Sequence, residues 1–438
     1  MLLAILLTTS CKKVLETEPQ SNISDEAVIV DKKSAQAALI GVYDALQGQV
    51  GSNIVSLELA GDNVVNFNAQ NRVVADKTAS GSGGGFSNYY VIINRANFIL
   101  NKVPPLSDAA VPKADKDQIL GEAYFLRGLS YFDLGKTYGG VQIVLEPAVS
   151  ADAHKGVRRS TLEQTYAQAL SDLNNAENLL SATINRNRAN KFTAYALKAR
   201  LYLYTKQWDL AEEYATKSIG NSNFELVKPY ATFFTTKNSR ESILEIAFST
   251  ADKSSFYTNW RSPEQGGRYD YIPERGFVGK LLDPGLGGSR KSLLFQTPQG
   301  IYDLIQYGNQ DGTSSIFVLR IAEQYLIRAE ARTHKAVPDL RGAVEDLNKI
   351  KSRADVPELT YTPQLTVSEV LLAIENERRF ELPFEGHRFL DIVRTGRAAE
   401  VFGAVNANLK NPDFWVFPIP QSEIITDPDL AGDQNKGY

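Results

Sequence analysis

One short pattern recurs along the chain and narrows its fold more than any other feature. It reads tyrosine, any residue, aliphatic, basic, small, and it occurs as Tyr124-Phe-Leu-Arg-Gly128, Tyr195-Ala-Leu-Lys-Ala199 and Tyr325-Leu-Ile-Arg-Ala329. The first two copies extend into "EAYFLRGLSYFDLGK" and "TAYALKARLYLYTKQ", with Tyr131 matching Tyr202 at an offset of 71 residues. Self-similarity at a fixed interval marks stacked units, each too thin to bury its own apolar face. Ala199, Tyr202 and Ala211 keep a small–aromatic–small spacing, in which small residues let paired helices approach while the ring fills the groove beside them.

The offset is close to two units of the 34-residue tetratricopeptide period. "YLIRAEARTHKAVPDLRGAVEDLNKIKSRA" reads as a later unit, helix, turn at Pro338, helix. Helical spacing also appears in "DKKSAQAALIGVYDALQ", where Ala35, Ala38, Leu39, Val42, Tyr43 and Leu46 share a face and Asp31 is a plausible cap. It resumes in "YYVIINRANFILNKV" and stops at Pro104-Pro105. The glycine-rich stretch around 80–88 reads as a loop. Residues 223–315, rich in Gly, Pro and Tyr without a helical period, read as an irregular insertion between repeat units. The fold class expected is mainly α, helical repeats packed against a loop-rich region.

Charge and cysteine content exclude several functions. With 47 basic and 51 acidic residues the net charge is -4, which leaves no basic footprint for nucleic acid. The single cysteine, Cys11, excludes an internal disulfide framework and a cysteine-based zinc cluster. Its position is informative: it follows the apolar Leu2–Leu7 and the small polar Thr8, Thr9 and Ser10. An apolar run ending in small residues is a secretory signal, and a cysteine directly after it resembles a bacterial lipoprotein cleavage site. No basic residue precedes Leu2, and Thr8 stands where such signals prefer leucine, so a translation start upstream of Met1 is expected. Lipidation of Cys11 with several acyl chains would anchor the chain stably.

No metal site or cofactor is expected. His154, His334 and His387 are scattered, and none belongs to an HExxH pair. "GLGGSRKS" has Arg290 before Lys291 where a phosphate-binding loop has glycine, and it and "GSGGGF" read as flexible loops. "ENERRFELPFEGHRFLDIVRTG" concentrates charge, but Glu381 and Glu385 come from one short segment and would not flank a scissile bond from opposite sides. Ion pairs such as Glu375 with Arg379 are the expected use. Aromatic residues remain: Trp208 and Trp415 read as packed, whereas Trp260 lies in the insertion beside Phe256, Tyr257, Arg261, Arg268, Tyr269 and Tyr271. Exposed rings interleaved with Arg, Asn and Gln suit a sugar, whose C–H face stacks on π surface while polar groups take its hydroxyls. The expected ligand set is Trp260, Tyr257, Tyr269, Tyr271 and Arg268, with Phe67, Asn68 and Arg72 from the earlier loop. No catalytic residue is expected.

"SCKKVLETEPQ", "AYFLRGLSYFDLGKTYGGVQIV", "LRIAEQYLIRAEA", "ENERRFELPFEGHRFLDIVRTG" and "FPIPQSEIITDPDLAGDQNKGY" together resemble the SusD/RagB family of outer-membrane lipoproteins over nearly the whole chain. The resemblance implies about four tetratricopeptide-like helix pairs. It implies a surface-exposed binding subunit seated on a SusC-type TonB-dependent transporter, anchored in the outer membrane and facing the cell exterior, with no catalysis. Glu377, Arg378, Glu381, Glu385, Gly386, Arg388 and Asp391 match signature positions, taken as structural. The expected organisation is a signal remnant at 1–10, lipidated terminus and linker at 11–22, an N-terminal helical part at 23–222, the insertion at 223–315 and a C-terminal part at 316–438. Glycan is the expected cargo. A peptide cargo is the alternative within the family, and a glycoside hydrolase on a helical scaffold the alternative outside it. The hydrolase would need separated carboxylates such as Asp62 or Asp283 to converge in one cleft.

Overall fold

A computed structural model describes residues 28–66, 85–150, 153–298, 300 and 302–438. Cys11, Phe67, Asn68 and Arg72 lie outside the described residues. Among those described, the helices in chain order are α1 Lys32–Ala60, α2 Phe86–Lys102, α3 Lys113–Tyr138, α4 Leu162–Leu179, α5 Lys191–Tyr204 and α6 Trp208–Ile219. Short α7 Thr232–Thr235, α8 Phe256–Trp260 and α9 Arg275–Leu282 precede α10 Ile321–His334, α11 Leu340–Arg353 and α12 Val367–Glu381. The chain finishes with α13 Arg388–Arg394, α14 Ala398–Phe402 and α15 Gln421–Thr426. Strands β1 Val64–Asn66, β2 Ser242–Ile246, β3 Tyr271–Pro273, β4 Leu294–Gln296, β5 Tyr302–Leu304 and β6 Ile316–Arg320 form three antiparallel pairs, β1–β3, β2–β6 and β4–β5.

The helices stack in sequence. α1 packs on α2, α2 on α3, α3 on α4, α4 on α5 and α5 on α6. α6 then packs directly on α10, so the repeat continues across the intervening hundred or so residues as though they were absent, and α11 and α12 close the stack. No helix among the described residues is long and apolar enough to cross a membrane. The helix starts follow from local chemistry. Asp31, Thr161, Asn190 and Thr366 each form a capping box, their side chains accepting from the first turn of α1, α4, α5 and α12. Ala35, Leu39, Val42 and Leu46 are buried along one face of α1, with Ala38 and Tyr43 half-buried beside them.

The recurring five-residue pattern has a geometric meaning. Its basic member reaches an acid on a neighbouring helix each time. Arg127 on α3 donates to both carboxylate oxygens of Asp172 on α4 at 2.9 and 2.6 Å. Lys198 on α5 donates to Glu177 on α4 at 2.5 Å, and Arg328 on α10 is bidentate on Asp346 of α11 at 2.8 and 2.6 Å. Such bidentate, charge-assisted pairs fix helix register as well as adding energy. The small member sets the spacing: a Cβ on Gly128 would sit 3.1 Å from the Ala169 carbonyl oxygen and 3.2 Å from the Asp172 Cβ.

Residues 223–315 are more ordered than their composition predicts. They hold α7–α9, β2–β5 and a 3-10 turn at Gly288–Leu293, and Phe277, Leu281, Leu293 and Leu304 join the main core. "GLGGSRKS" is not a flexible loop, because Arg290 is completely buried in an ion cluster. There Glu381 of α12 accepts from Arg290 Nε and Nη2 at 3.1 and 3.0 Å, from Arg320 Nη1 at 3.1 Å, and from Arg353. Glu241 accepts from Arg320 at 2.5 Å and from Arg353 at 2.7 and 2.9 Å, Glu377 pairs with Arg290, and Glu385 with Arg320 at 2.8 Å. Phe233 and Tyr230 cover the cluster, their rings 4.3 and 4.7 Å from Arg320 and Arg353. The expected Glu375–Arg379 pair is replaced by contacts outside the helix. Glu375 meets Arg397 at 2.5 Å, and Arg379 turns to Asp62 at 2.9 Å.

Glu58 on α1 is another buried carboxyl, outside the cluster, with Oε1 accepting from Gly386 N at 2.8 Å. Burial pushes its pKa up to about 8, and the charges of Glu385 and Asp62 add to the rise. Glu385 is likewise raised, to about 7, first by burial, whereas the three arginines hold Glu381 down at about 2 against its own burial.

Two predictions follow from these groups. Glu381→Ala leaves three buried guanidinium groups short of a partner and is expected to cost about 3–5 kcal/mol; a denaturant midpoint within error of wild type would contradict the cluster's role. For Glu58 the folded pKa lies above the ordinary value, so its contribution is full at acid pH and fades as pH rises from 4.5 through about 8. Glu58→Gln is expected to flatten the decline of melting temperature over that window, leaving the part due to Glu385; superimposable pH profiles would count against a neutral Glu58.

Candidate functional site

A concavity of about 520 Å³ lies against the second half of α1. Asp44, Gln47, Gly48, Gly51, Ser52, Val55 and Ser56 recur at intervals of three and four, so they share one face of the helix, away from the apolar stripe. The face is small and polar, which opens space rather than filling it. The opposite wall comes from the insertion: Phe248, the turn 252–255, Phe256 and Asn259 of α8, and Tyr271 of β3, with Ile316 of β6 behind. Gly51 lets these walls approach closely, since a Cβ there would lie 3.1 Å from the Phe256 ring.

Of the expected ligand residues, Tyr271 lines this concavity half-buried. Arg268 is exposed at its edge, donating to Asn259 Oδ1 at 2.7 Å and to Asp270 at 2.9 Å. Trp260 does not present a face to solvent. It is 0% exposed, packed among Phe256, Tyr271 and Phe384 at ring-centroid distances of 5.8, 5.7 and 6.0 Å. Its Nε1 finds no acceptor among the described residues. Tyr257 and Tyr269 are also buried, their hydroxyls donating to the carbonyls of Gln265 and Tyr302. These three rings are the footing of the wall rather than its surface. Burial, ahead of Asp270, raises the Tyr271 pKa above its ordinary value.

Both walls are tied to the turn that follows α12. Phe384, held at φ 63°, puts its ring against Trp260, and two residues later Gly386 donates its N–H to Glu58 on α1. Gly386 sits at φ 79° with Ile54 Cα 3.4 Å from where a Cβ would stand. Between them Glu385 binds Arg320 of the ion cluster. On the other edge, β1 pairs with β3 so that Asn66 lies opposite Tyr271. The expected Phe67 and Asn68 continue directly from Asn66, outside the described residues, and the described chain resumes at Gly85 beside Gln49 of α1.

The carboxylates singled out for hydrolysis are engaged elsewhere. Asp62 pairs with Arg379 and Arg388, each at 2.9 Å, and Asp283 accepts from Gly285 N at 2.7 Å; neither lines the concavity. Among the described residues no group of His, Cys, Asp and Glu has the arrangement of a metal site. What the arrangement offers is aromatic surface, hydroxyls, amides, the Lys253 ammonium and two carboxylates, Asp44 and Asp252. The polar stripe on α1 was readable in the sequence from its three-and-four spacing, whereas the burial of Trp260 was not.

Two family models match the chain. One, described as starch-binding associating with outer membrane, covers residues 13–203; the other, the SusD family, covers residues 295–438. SusD-like protein P38 of Formosa agariphila is 26% identical over all of this chain and 98% of its own length. Among solved structures, a SusD-like protein from Bacteroides fragilis superposes with a TM-score of 0.79 at 20% identity, covering 96% of this chain and all of that one. Surface glycan-binding protein A from Bacteroides thetaiotaomicron, in complex with laminarihexaose, gives 0.75 at 19% identity, covering 92% and 99%.

Trp260→Ala tests its placement. A fully buried tryptophan is expected to cost about 3–5 kcal/mol of stability when truncated, measured by chemical denaturation; a loss under about 1 kcal/mol would mean the ring is at the surface after all.

Proposed function

The chain belongs to the SusD/RagB family, and from that premise we propose that it is a surface-exposed lipoprotein that binds glycans and delivers them to a SusC-type TonB-dependent transporter. The cargo is oligo- or polysaccharide, and the lipid anchor is Cys11. The observation that carries the reading is the concavity between α1 and the insertion. It sets the half-buried ring of Tyr271 beside Asn259, Gln47 and serine hydroxyls, the pairing of flat apolar surface and short polar groups that a pyranose ring needs. The outer-membrane, starch-binding description of the N-terminal family model supports the cargo and the location. The laminarihexaose complex of the glycan-binding relative supports the same chemistry on the same fold.

The role is capture and release, with no covalent step. Tyr271 supplies ring area at small entropic cost, propped by Trp260 so that little is lost in ordering it when a ligand arrives. Asp62, Glu381 and Glu385 are committed to buried or half-buried arginines, and Asp44, which lines the concavity together with Asp252, pairs with Arg95 at 3.2 Å. The transporter supplies the energised passage, and the surface lipoprotein raises the local concentration of its substrate.

Tyr271→Ala should leave the fold intact and weaken oligosaccharide binding about tenfold or more, read by calorimetry against a panel of hexasaccharides. Peptide binding in place of glycan, lost in the same variant, would keep the site and change the cargo. Unchanged glycan affinity would remove this concavity as the site.

A further inference from the structure

A cavity of about 850 Å³ lies elsewhere, between the ends of α5, α6 and α10 on one side and α12–α14 with Trp415 on the other. It shares no lining residue with the concavity on α1. Trp208 at the start of α6 stacks on His334 at the end of α10, 4.2 Å apart and 16° from parallel. Trp415 contributes a second indole, anchored by its Nε1 donating to the Leu409 carbonyl at 2.9 Å. Leu371 and Leu372 of α12 supply aliphatic surface, and Leu372 is 47% exposed.

The polar part of the wall is pre-paired. Arg394 is bidentate on Glu330 at 2.6 and 2.8 Å and also holds Asp391 at 2.9 Å. Arg397 bridges Glu375 at 2.5 Å and Glu400 at 2.6 and 3.1 Å. Four cations and four carboxylates line the cavity, and burial holds the His334 pKa below its ordinary value, so no net charge is offered to an ion. Arg378 binds Asp391 through Nε while its Nη1 has no partner among the described residues. A cavity of this size, walled by two indoles and by fixed guanidinium–carboxylate pairs, fits a ligand with flat apolar faces edged by hydroxyls and without charge.

We propose that the cavity between Trp208, Trp415 and α12 is a second site for a short neutral oligosaccharide, distinct from the concavity at Tyr271. It goes beyond the glycan reading of the first site and stands on separate residues. Two sites on one rigid body would let a single polysaccharide chain or two ends of one be held together, raising avidity without a stronger contact at either.

The test uses the full chain and calorimetric titration with laminarihexaose, maltohexaose and xylohexaose. The Tyr271→Ala protein should retain one weaker binding event. Leu372→Arg, at an exposed position the fold tolerates, and Trp208→Ala should each reduce that event about tenfold or more. If Tyr271→Ala abolishes all binding, the second site is wrong while the first stands. Residual binding indifferent to both changes also overturns it, and leaves the cavity to a protein segment. A wild-type chain that binds none of the panel overturns both sites. Binding lost in Trp208→Ala and Leu372→Arg but untouched by Tyr271→Ala would keep this site and remove the other.

Discussion

Glu381 holds the molecule together. One carboxylate accepts from three arginines that arrive from the insertion, from the strand leading into α10 and from the end of α11. Burying four glutamates and three guanidinium groups costs several kcal/mol per ion before any pairing. The cluster survives because nearly every oxygen has a partner and aromatic rings close it from above. An apolar core of equal volume can hold as firmly, but it does not fix direction. Arg290, reaching Glu381 and Glu377 of α12, and Arg353, reaching Glu241, fix the orientation of the insertion on the repeats. The concavity on α1 inherits that orientation, because Glu385 in the cluster lies between Phe384 and Gly386, which brace the two walls.

This chain of contacts separates what was legible in the sequence from what was not. The repeat was legible, since Tyr124, Tyr195 and Tyr325 recur with the same neighbours, and so was the apolar stripe of α1. The signature around Glu381 could be assigned a structural role from its segment alone. Its partners could not, because Arg290 sits in a glycine-rich stretch with no period, where a buried cation has the same local pattern as a solvated one. Trp260 was misplaced for a related reason. Aromatic residues among Gly, Arg and Asn look like a binding loop, and only the fold shows that Phe384, nearly 125 residues away in sequence, covers the ring. Tyr271 lies half-buried at the rim of the concavity because β1 pairs with β3.

At the concavity, rings and short polar groups are held in place by a core that spends its charges on rigidity. A helical stack that continues from α6 to α10 as if uninterrupted can carry a long insertion without losing its own packing, and the insertion can vary its surface while Arg290 keeps it docked. The same stack leaves room for a cavity at the edge where α12 and α13 turn away, lined by charges already matched to one another.

Hydrogen–deuterium exchange with and without a bound hexasaccharide tests the central claim most directly. The cluster should make β6, the end of α11 and α12 the slowest-exchanging segments in the free protein. Ligand should slow exchange in residues 44–56 and 248–271 while leaving those segments unchanged. Protection confined to the ion cluster, or spread evenly over the chain, would contradict a rigid core that presents a separate binding surface.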